Sequence, residues 1–154
     1  MDAISLLKKQ HREVEQLFKK VEKTEDGGQR RELMEEIASR LEMHTSIEEE
    51  IFYPAVREAP SKKAGEMINE ALEEHAIVKL VLRELPNVDP EDERFEAKMT
   101  VLQELIEHHV EEEEKEMFKI AQKLGKDELR DLGEQMTSRM PADQQPPRQR
   151  RRAA

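Results

Sequence analysis

The sequence predicts an all-α protein. An antiparallel up-down-up-down four-helix bundle spans residues 1–140, closing with a short C-terminal helix, and a disordered basic tail covers 141–154. Three observations predict this. Apolar residues recur at alternating steps of three and four in four long blocks, the period of one helical face. Gly, Pro or Asp breaks separate the blocks. With 36% apolar and 40% charged residues, the chain has only enough apolar side chains for narrow stripes, which the seam of a bundle can use.

The first stripe is Ile4, Leu7, His11, Val14, Phe18 and Val21, a helix from about Asp2 to Lys23 that Asp26-Gly27-Gly28 interrupts. The second is Met34, Ile37, Leu41, His44, Glu48, Ile51 and Ala55. Pro54 should kink or loosen its end, and Pro60-Ser61 marks the turn. The third is Ala64, Ile68, Ala71, His75, Val78, Leu82 and Leu85. Pro86 to Pro90 forms the next break, with Asp89 placed to cap a helix and Pro90 at its first position. The fourth is Phe95, Met99, Leu102, Ile106, His109, Glu113, Met117, Ile120 and Leu124, stopped by Gly125. Leu129, Leu132 and Met136 make a short amphipathic piece. For its histidine to sit level with His75, the fourth helix must overhang its neighbour or begin later, near Phe95. Beyond Met140 the periodicity ends, and Arg148, Arg150, Arg151 and Arg152 face the single acid Asp143.

Composition excludes several classes. Without cysteine there is no disulfide framework, thiolate metal site or thiol nucleophile. No run of about 18 apolar residues can span a membrane, and no signal peptide opens the chain. The net charge of -10 argues against nucleic acid as a main partner. The absence of cysteine and targeting signals is compatible with the cytoplasm.

Polar residues that interrupt the stripes carry the function. His11, His44, His75 and His109 put one histidine on each apolar stripe. Glu48 and Glu113 join them, each four residues after a histidine and so beside it on one face. Buried carboxylates without a stripe arginine need a cation. A lone core histidine usually just satisfies a carbonyl; four in register with two glutamates point to metal. The other glutamates around Glu48 and Glu113 read as a solvated face. His108 and Glu112 offer an alternative register for the fourth helix, on a mostly polar stripe. Leu41–Tyr53 repeats as Ile106–Phe118 in the pattern apolar-x-x-His-x-x-x-Glu-Glu-x-x-apolar-aromatic. Two such halves suit two metal ions.

These blocks, with His11-Arg12-Glu13, His44-x-x-x-Glu48-Glu49-x-x-Phe52-Tyr53-Pro54, Glu74-His75 and His109-x-x-x-Glu113-Glu114, resemble the bacterial hemerythrin-like (HHE cation-binding) domains from about Ala3 to Leu124. The resemblance implies a four-helix bundle around two non-haem iron ions. By matched position, His11, His44, His75 and His109 would be imidazole ligands, and Glu48 and Glu113 bridging carboxylates. Imidazole and carboxylate also suit manganese or zinc. Oxygen-carrying members have a second histidine where this chain has Lys79. One iron is then short of a ligand, and reversible oxygen carriage is in doubt. Lys79 either supplies a donor or positive charge at the centre or snorkels to solvent. The function implied is binding or sensing of a small ligand, O₂ or NO. The alternative is a di-iron enzyme that decomposes hydrogen peroxide or acts as an oxidase. A ferritin-like iron oxidase is disfavoured, because that class carries Glu-x-x-His.

Overall fold

The computed structural model describes residues 1–147. Four long helices carry the stripes: α1 (Ala3–Lys23), α2 (Gly27–Ile47), α4 (Ala64–Glu84) and α5 (Glu93–Glu112). Between and after them come π1 (Glu48–Phe52), α3 (Tyr53–Arg57), π2 (Glu113–Met117), α6 (Phe118–Ala121) and α7 (Lys126–Arg139).

Aspartates start three of the long helices. Asp2 accepts from Ser5 N at 2.8 Å, Asp26 from Gln29 N at 2.9 Å and Asp92 from Arg94 N at 2.9 Å, each relieving an unpaired first-turn donor. Two expected starts therefore move. With Asp26 as cap, Gly27 and Gly28 open α2 instead of forming the break. The fourth long helix is capped by Asp92 rather than Asp89, whose side chain instead accepts from Glu91 N and closes the preceding turn. The later start lets the fourth-helix histidine sit level with His75.

Each π segment begins at a stripe glutamate. Tyr53 N–H bonds Glu48 O and Phe118 N–H bonds Glu113 O, five residues back instead of four. Pro54 follows the first, but Lys119 holds the matching place in the second, so proline is not the shared cause. The wider turn re-phases the stripe. In a regular α-helix, nine residues at about 100° each would place Tyr53 roughly opposite His44. Here Phe52, Tyr53 and Val56 are buried, while the expected Ile51 and Ala55 are only half-buried. Likewise Phe118 and Ala121 are buried and Leu124 is half-buried.

The apolar core divides into two clusters. One gathers Leu6, Leu7, Phe52, Ile68 and Phe118 with Leu132 and Met136 of α7. The other holds Phe18, Ile37, Leu41, Leu82, Phe95 and Leu102. Burying each such side chain is worth about 1.5–3 kcal/mol. Gly125, at φ 91°, takes the positive φ that glycine alone adopts without steric cost, at the junction into α7. At Gly133, α7 meets the chain start so closely that a Cβ would lie 2.2 Å from the Met1 carbonyl oxygen. The aperiodic segment after Met140 opens with one 3₁₀ turn, Ala142–Gln144, and Gln145 Nε2 donates to Met140 O at 2.9 Å. The arginines of the expected disordered tail lie outside the described residues. Among the described residues, no helix is long and apolar enough to cross a membrane.

Candidate metal centre

Between the two core clusters lies a polar layer. The structure brings all six sequence-predicted residues into it. His11, His44, His75 and His109 are at most 6% exposed, and Glu48 and Glu113 at most 1%. Their donor atoms fall into two groups of three: His11, His44 and Glu113, then Glu48, His75 and His109. Both carboxylates reach both groups. Glu113 Oε1 is 3.3 Å from His11 Nε2, and its Oε2 is 3.1 Å from His109 Nε2. Glu48 Oε1 is 2.8 Å from His44 Nε2 and 3.4 Å from His75 Nε2.

An outer set of acceptors orients every imidazole. The Nδ1–H of His11 donates to Glu114 Oε2 at 3.0 Å, and that of His44 to Gln10 Oε1 at 2.6 Å. His75 donates to Glu49 Oε2 at 3.3 Å and His109 to Glu74 Oε1 at 3.2 Å. A carboxylate or amide oxygen can only accept here, so each ring carries a hydrogen on Nδ1 and turns Nε2 to the centre. The repeat explains the pattern. Glu49 and Glu114 directly follow the two central glutamates, and Gln10 and Glu74 directly precede the two lone histidines. Each element thus aims one residue inward and uses its chain neighbour to hold a ring across the bundle.

The donor set fits a cation. His11 Nε2, His44 Nε2, both Glu48 oxygens and Glu113 Oε1 are buried without a hydrogen-bond partner. His44 Nε2 and Glu48 Oε1 approach closely, but not along a hydrogen-bonding direction. His75 Nε2 and His109 Nε2 converge at 3.3 Å, although both rings have their Nδ1 hydrogens engaged elsewhere. Such orphaned atoms are costly in a native core unless something positive lies among them. Protons can serve in its place. Burial lowers the His11 pKa, but hydrogen bonds and charge from Glu113 and Glu114 outweigh it, and the ring is pushed up to about 9. His109 is likewise raised against burial, chiefly by Glu113. Glu48 is held well below the carboxylate range: burial raises it, but the charge of His44 and the other groups facing it together outweigh that.

The sequence reading missed Tyr53, a residue of the site. Its hydroxyl donates to Glu113 Oε2 at 2.8 Å and lies 3.2 Å and 3.4 Å from the Nε2 atoms of His75 and His109. Its ring stacks on His75 as Phe118 stacks on His11. Burial and the charges of Glu48 and Glu113 hold the phenol in its neutral form. The available signal was the repeat itself, which aligns Tyr53 with Phe118 and leaves one hydroxyl unmatched.

Other expectations are corrected. His108 and Glu112, the alternative register, have side chains 66% and 43% exposed and form a surface group with Glu74. Lys79 is directed neither into the centre nor freely to solvent. Its Nζ bonds both oxygens of Glu49, at 2.9 and 2.7 Å, and so braces the carboxylate that holds His75. Arg12 does the same for Glu114, at 2.6 and 2.9 Å. Glu49 and Glu114 are therefore not a solvated face.

Known proteins share this arrangement of helices. Residues 2–121 match the family described as Hemerythrin HHE cation binding domain. The chain belongs to this family. As an HHE domain it is a cation-binding bundle, and its buried His and Glu groups are where a cation would sit. The match ends at Ala121, so α7 lies beyond it. A solved HHE domain-containing protein from Mycobacterium kansasii, described as an Rv2633c homolog, superposes with a TM-score of 0.78 at 27% identity, over 90% of this chain and 85% of that one. The uncharacterized protein Rv2633c of Mycobacterium tuberculosis is 28% identical over 91% of this chain and 86% of its own length. A DNA nickase of Nostoc sp. is 25% identical over 77% of this chain, but only 33% of that longer protein is covered.

Proposed function

We propose that this HHE domain holds two non-haem iron ions and binds or senses a small diatomic ligand, O₂ or NO. The observation that carries the reading is the pairing of the two donor groups with a cavity of about 20 Å³ beside the four imidazoles. Such a volume admits about one water-sized molecule, since roughly 10–15 Å³ suffices for one water. Val14, Leu41, Val78 and Ile106 line it, each one turn from a histidine, so the ligand side of the site is apolar. Nothing in this cavity recognises a larger substrate.

His11, His44 and Glu113 would hold one ion, and His75, His109 and Glu48 the other, with the carboxylates shared. When bound, the metal pair supplies electrons and open coordination positions to a small ligand. The chain's residues do the rest. Glu114, Gln10, Glu49 and Glu74 fix the rings, and the apolar layer excludes water. Tyr53 occupies the space between Glu113 and the two imidazoles of one group, where the hydroxyl supplies an oxygen donor or a proton. That hydroxyl favours the second reading, peroxide decomposition, which needs a proton held at the centre.

Elemental analysis of the full chain, with His44→Ala and Glu113→Ala beside it, tests the reading. The expected result is about two irons per chain, the number two-metal sites hold, with the metal lost in both variants. The di-ferrous protein should bind NO with a new absorption band. Metal-free protein whose stability is indifferent to chelation would overturn the proposal.

A further inference from the structure

The buried cavity has a neighbour at the surface. A groove of about 500 Å³ runs between α1 and α5, rimmed by Lys8, Arg12, Glu107 and Glu111. Groove and cavity share three lining residues: His11, Ile106 and Val110. Ile106 and Val110 lie one turn apart on α5, on the same face, and both are half-buried. Beside the ring of His11, which Glu114 holds, two β-branched side chains with no hydrogen bond to break are therefore what separates the groove from the imidazole layer. The groove between α2 and α4 is the rival approach. It shares only Thr45 with the cavity, 4% exposed and hydrogen-bonded through its hydroxyl to Glu42 O. The Glu49–Lys79 ion pair lies along that groove. The groove around Glu74, His108 and Glu112 shares no lining residue with the cavity.

We propose that the α1–α5 groove is the port by which a small ligand reaches the centre, and that Ile106 and Val110 are its gate and set its specificity. The inference rests on the reading of the site as a two-metal, small-ligand centre. A rotamer change at either residue opens the constriction without disturbing the helices. Two of its three lining residues are hydrocarbon, so an ion passing through must shed water with only the His11 ring to compensate, whereas a neutral molecule does not. The port selects neutral molecules of two or three heavy atoms over anions of the same size. His11, exposed to both spaces, makes its group of donors the one the ligand meets first.

Stopped-flow binding of NO and of azide to the metal-loaded full chain, with iron content measured for every variant, tests this. Ile106→Trp should slow NO at least tenfold with iron unchanged. Ile106→Ala should speed azide more than it speeds NO. Because the chain has no cysteine, Val110→Cys adds a single thiol. That thiol should react with a small thiol reagent in the metal-stripped and the loaded protein alike. Capping it with a bulky group after folding should reproduce the tenfold slowing. An unreactive thiol, NO rates unchanged by both Ile106→Trp and the capped Val110→Cys, or a larger slowing by Thr45→Trp than by Ile106→Trp would overturn the port. Loss of iron binding in the unmodified chain would overturn the metal reading instead, while the thiol arm still reports on the port.

Discussion

Gln10→Leu should separate the two metal sites. Gln10 Oε1 accepts from His44 Nδ1–H at 2.6 Å in a buried setting, and Gln10 is 9% exposed. Leucine keeps the volume but leaves that N–H without a partner, a loss of about 1–3 kcal/mol. The ring can recover only by turning or by moving its hydrogen to Nε2, and either removes the lone pair from the centre. Loss of such an outer partner typically weakens a metal site 10–100-fold, about 1.4–2.7 kcal/mol. The weakening should fall on the group of His11, His44 and Glu113. Glu74→Leu, the counterpart in the repeat, should weaken the group of Glu48, His75 and His109 instead. Anaerobic titration should therefore show one tight and one weakened step in each variant. Anomalous scattering from crystals grown at limiting metal should place the remaining ion in opposite groups. If both variants empty the same group, or neither alters the titration, the outer acceptors do not set the rings.

Further outcomes follow from the same geometry. Tyr53→Phe removes the hydroxyl on Glu113 and makes the two halves alike; metal-free protein should lose about 1.5–3 kcal/mol in denaturant melts, the worth of a hydrogen bond to a charged group. If peroxide turnover is the function, it should collapse in that variant while NO binding persists. Metal uptake should release protons near neutral pH, read with an indicator dye, because His11 is held up to about 9 in the metal-free fold. The sign follows by linkage. His11 contributes fully below its unfolded value of about 6.5 and loses that contribution as pH rises through about 9, so metal-free protein should melt lower at pH 9 than at pH 6.5. Lys79→Met should keep both metals and change stability by at most about 1 kcal/mol, since the pair with Glu49 is half-exposed. Gly133→Ala should cost about 1–3 kcal/mol by pushing α7 off the Met1 carbonyl, seen as a lower melting temperature with iron content unchanged.

How far the sequence reached depends on what kind of signal each residue left. Helix periodicity is a local property, so the stripes and the inward histidines were legible. So was the preference for His109 over His108, because one lies on an apolar stripe and the other on a polar one. The π segments were not legible, because His-x-x-x-Glu has ordinary α spacing and the extra residue acts only after the glutamate. A reader holding phase through Glu48 therefore carries Ile51 and Ala55 fully inward and Tyr53 outward, whereas Tyr53 is buried and Ile51 and Ala55 are only half-buried. The outer acceptors were hidden for a different reason. Glu49 and Glu114 sit in acidic runs that also hold the exposed Glu50 and Glu111, and only the tertiary fold shows which carboxylate turns toward a ring.

The near-repetition of the two halves makes their differences informative. His11 corresponds to His75, His44 to His109, Glu48 to Glu113 and Glu49 to Glu114. Three features break the match. Gln10 stands opposite Glu74, and the difference tracks burial: the neutral amide is 9% exposed, while the Glu74 side chain is 25% exposed and can keep its charge. The cation bracing the outer carboxylate is Arg12 on one side, next to His11, and Lys79 on the other, a turn beyond His75. Tyr53 stands opposite Phe118, so the imidazoles of His75 and His109 have a hydroxyl against them and that of His11 a bare aromatic ring. The port opens at His11, on the side of the bare ring. An incoming ligand therefore meets His11 and the bare ring first, and the only phenolic hydroxyl of the chain lies beyond, between Glu113 Oε2 and the imidazoles of His75 and His109. A symmetric pair of metal sites would have no preferred direction of approach. With the groove at Ile106 and Val110 on one side and the Tyr53 hydroxyl against His75 and His109 on the other, the two halves present different surroundings in turn.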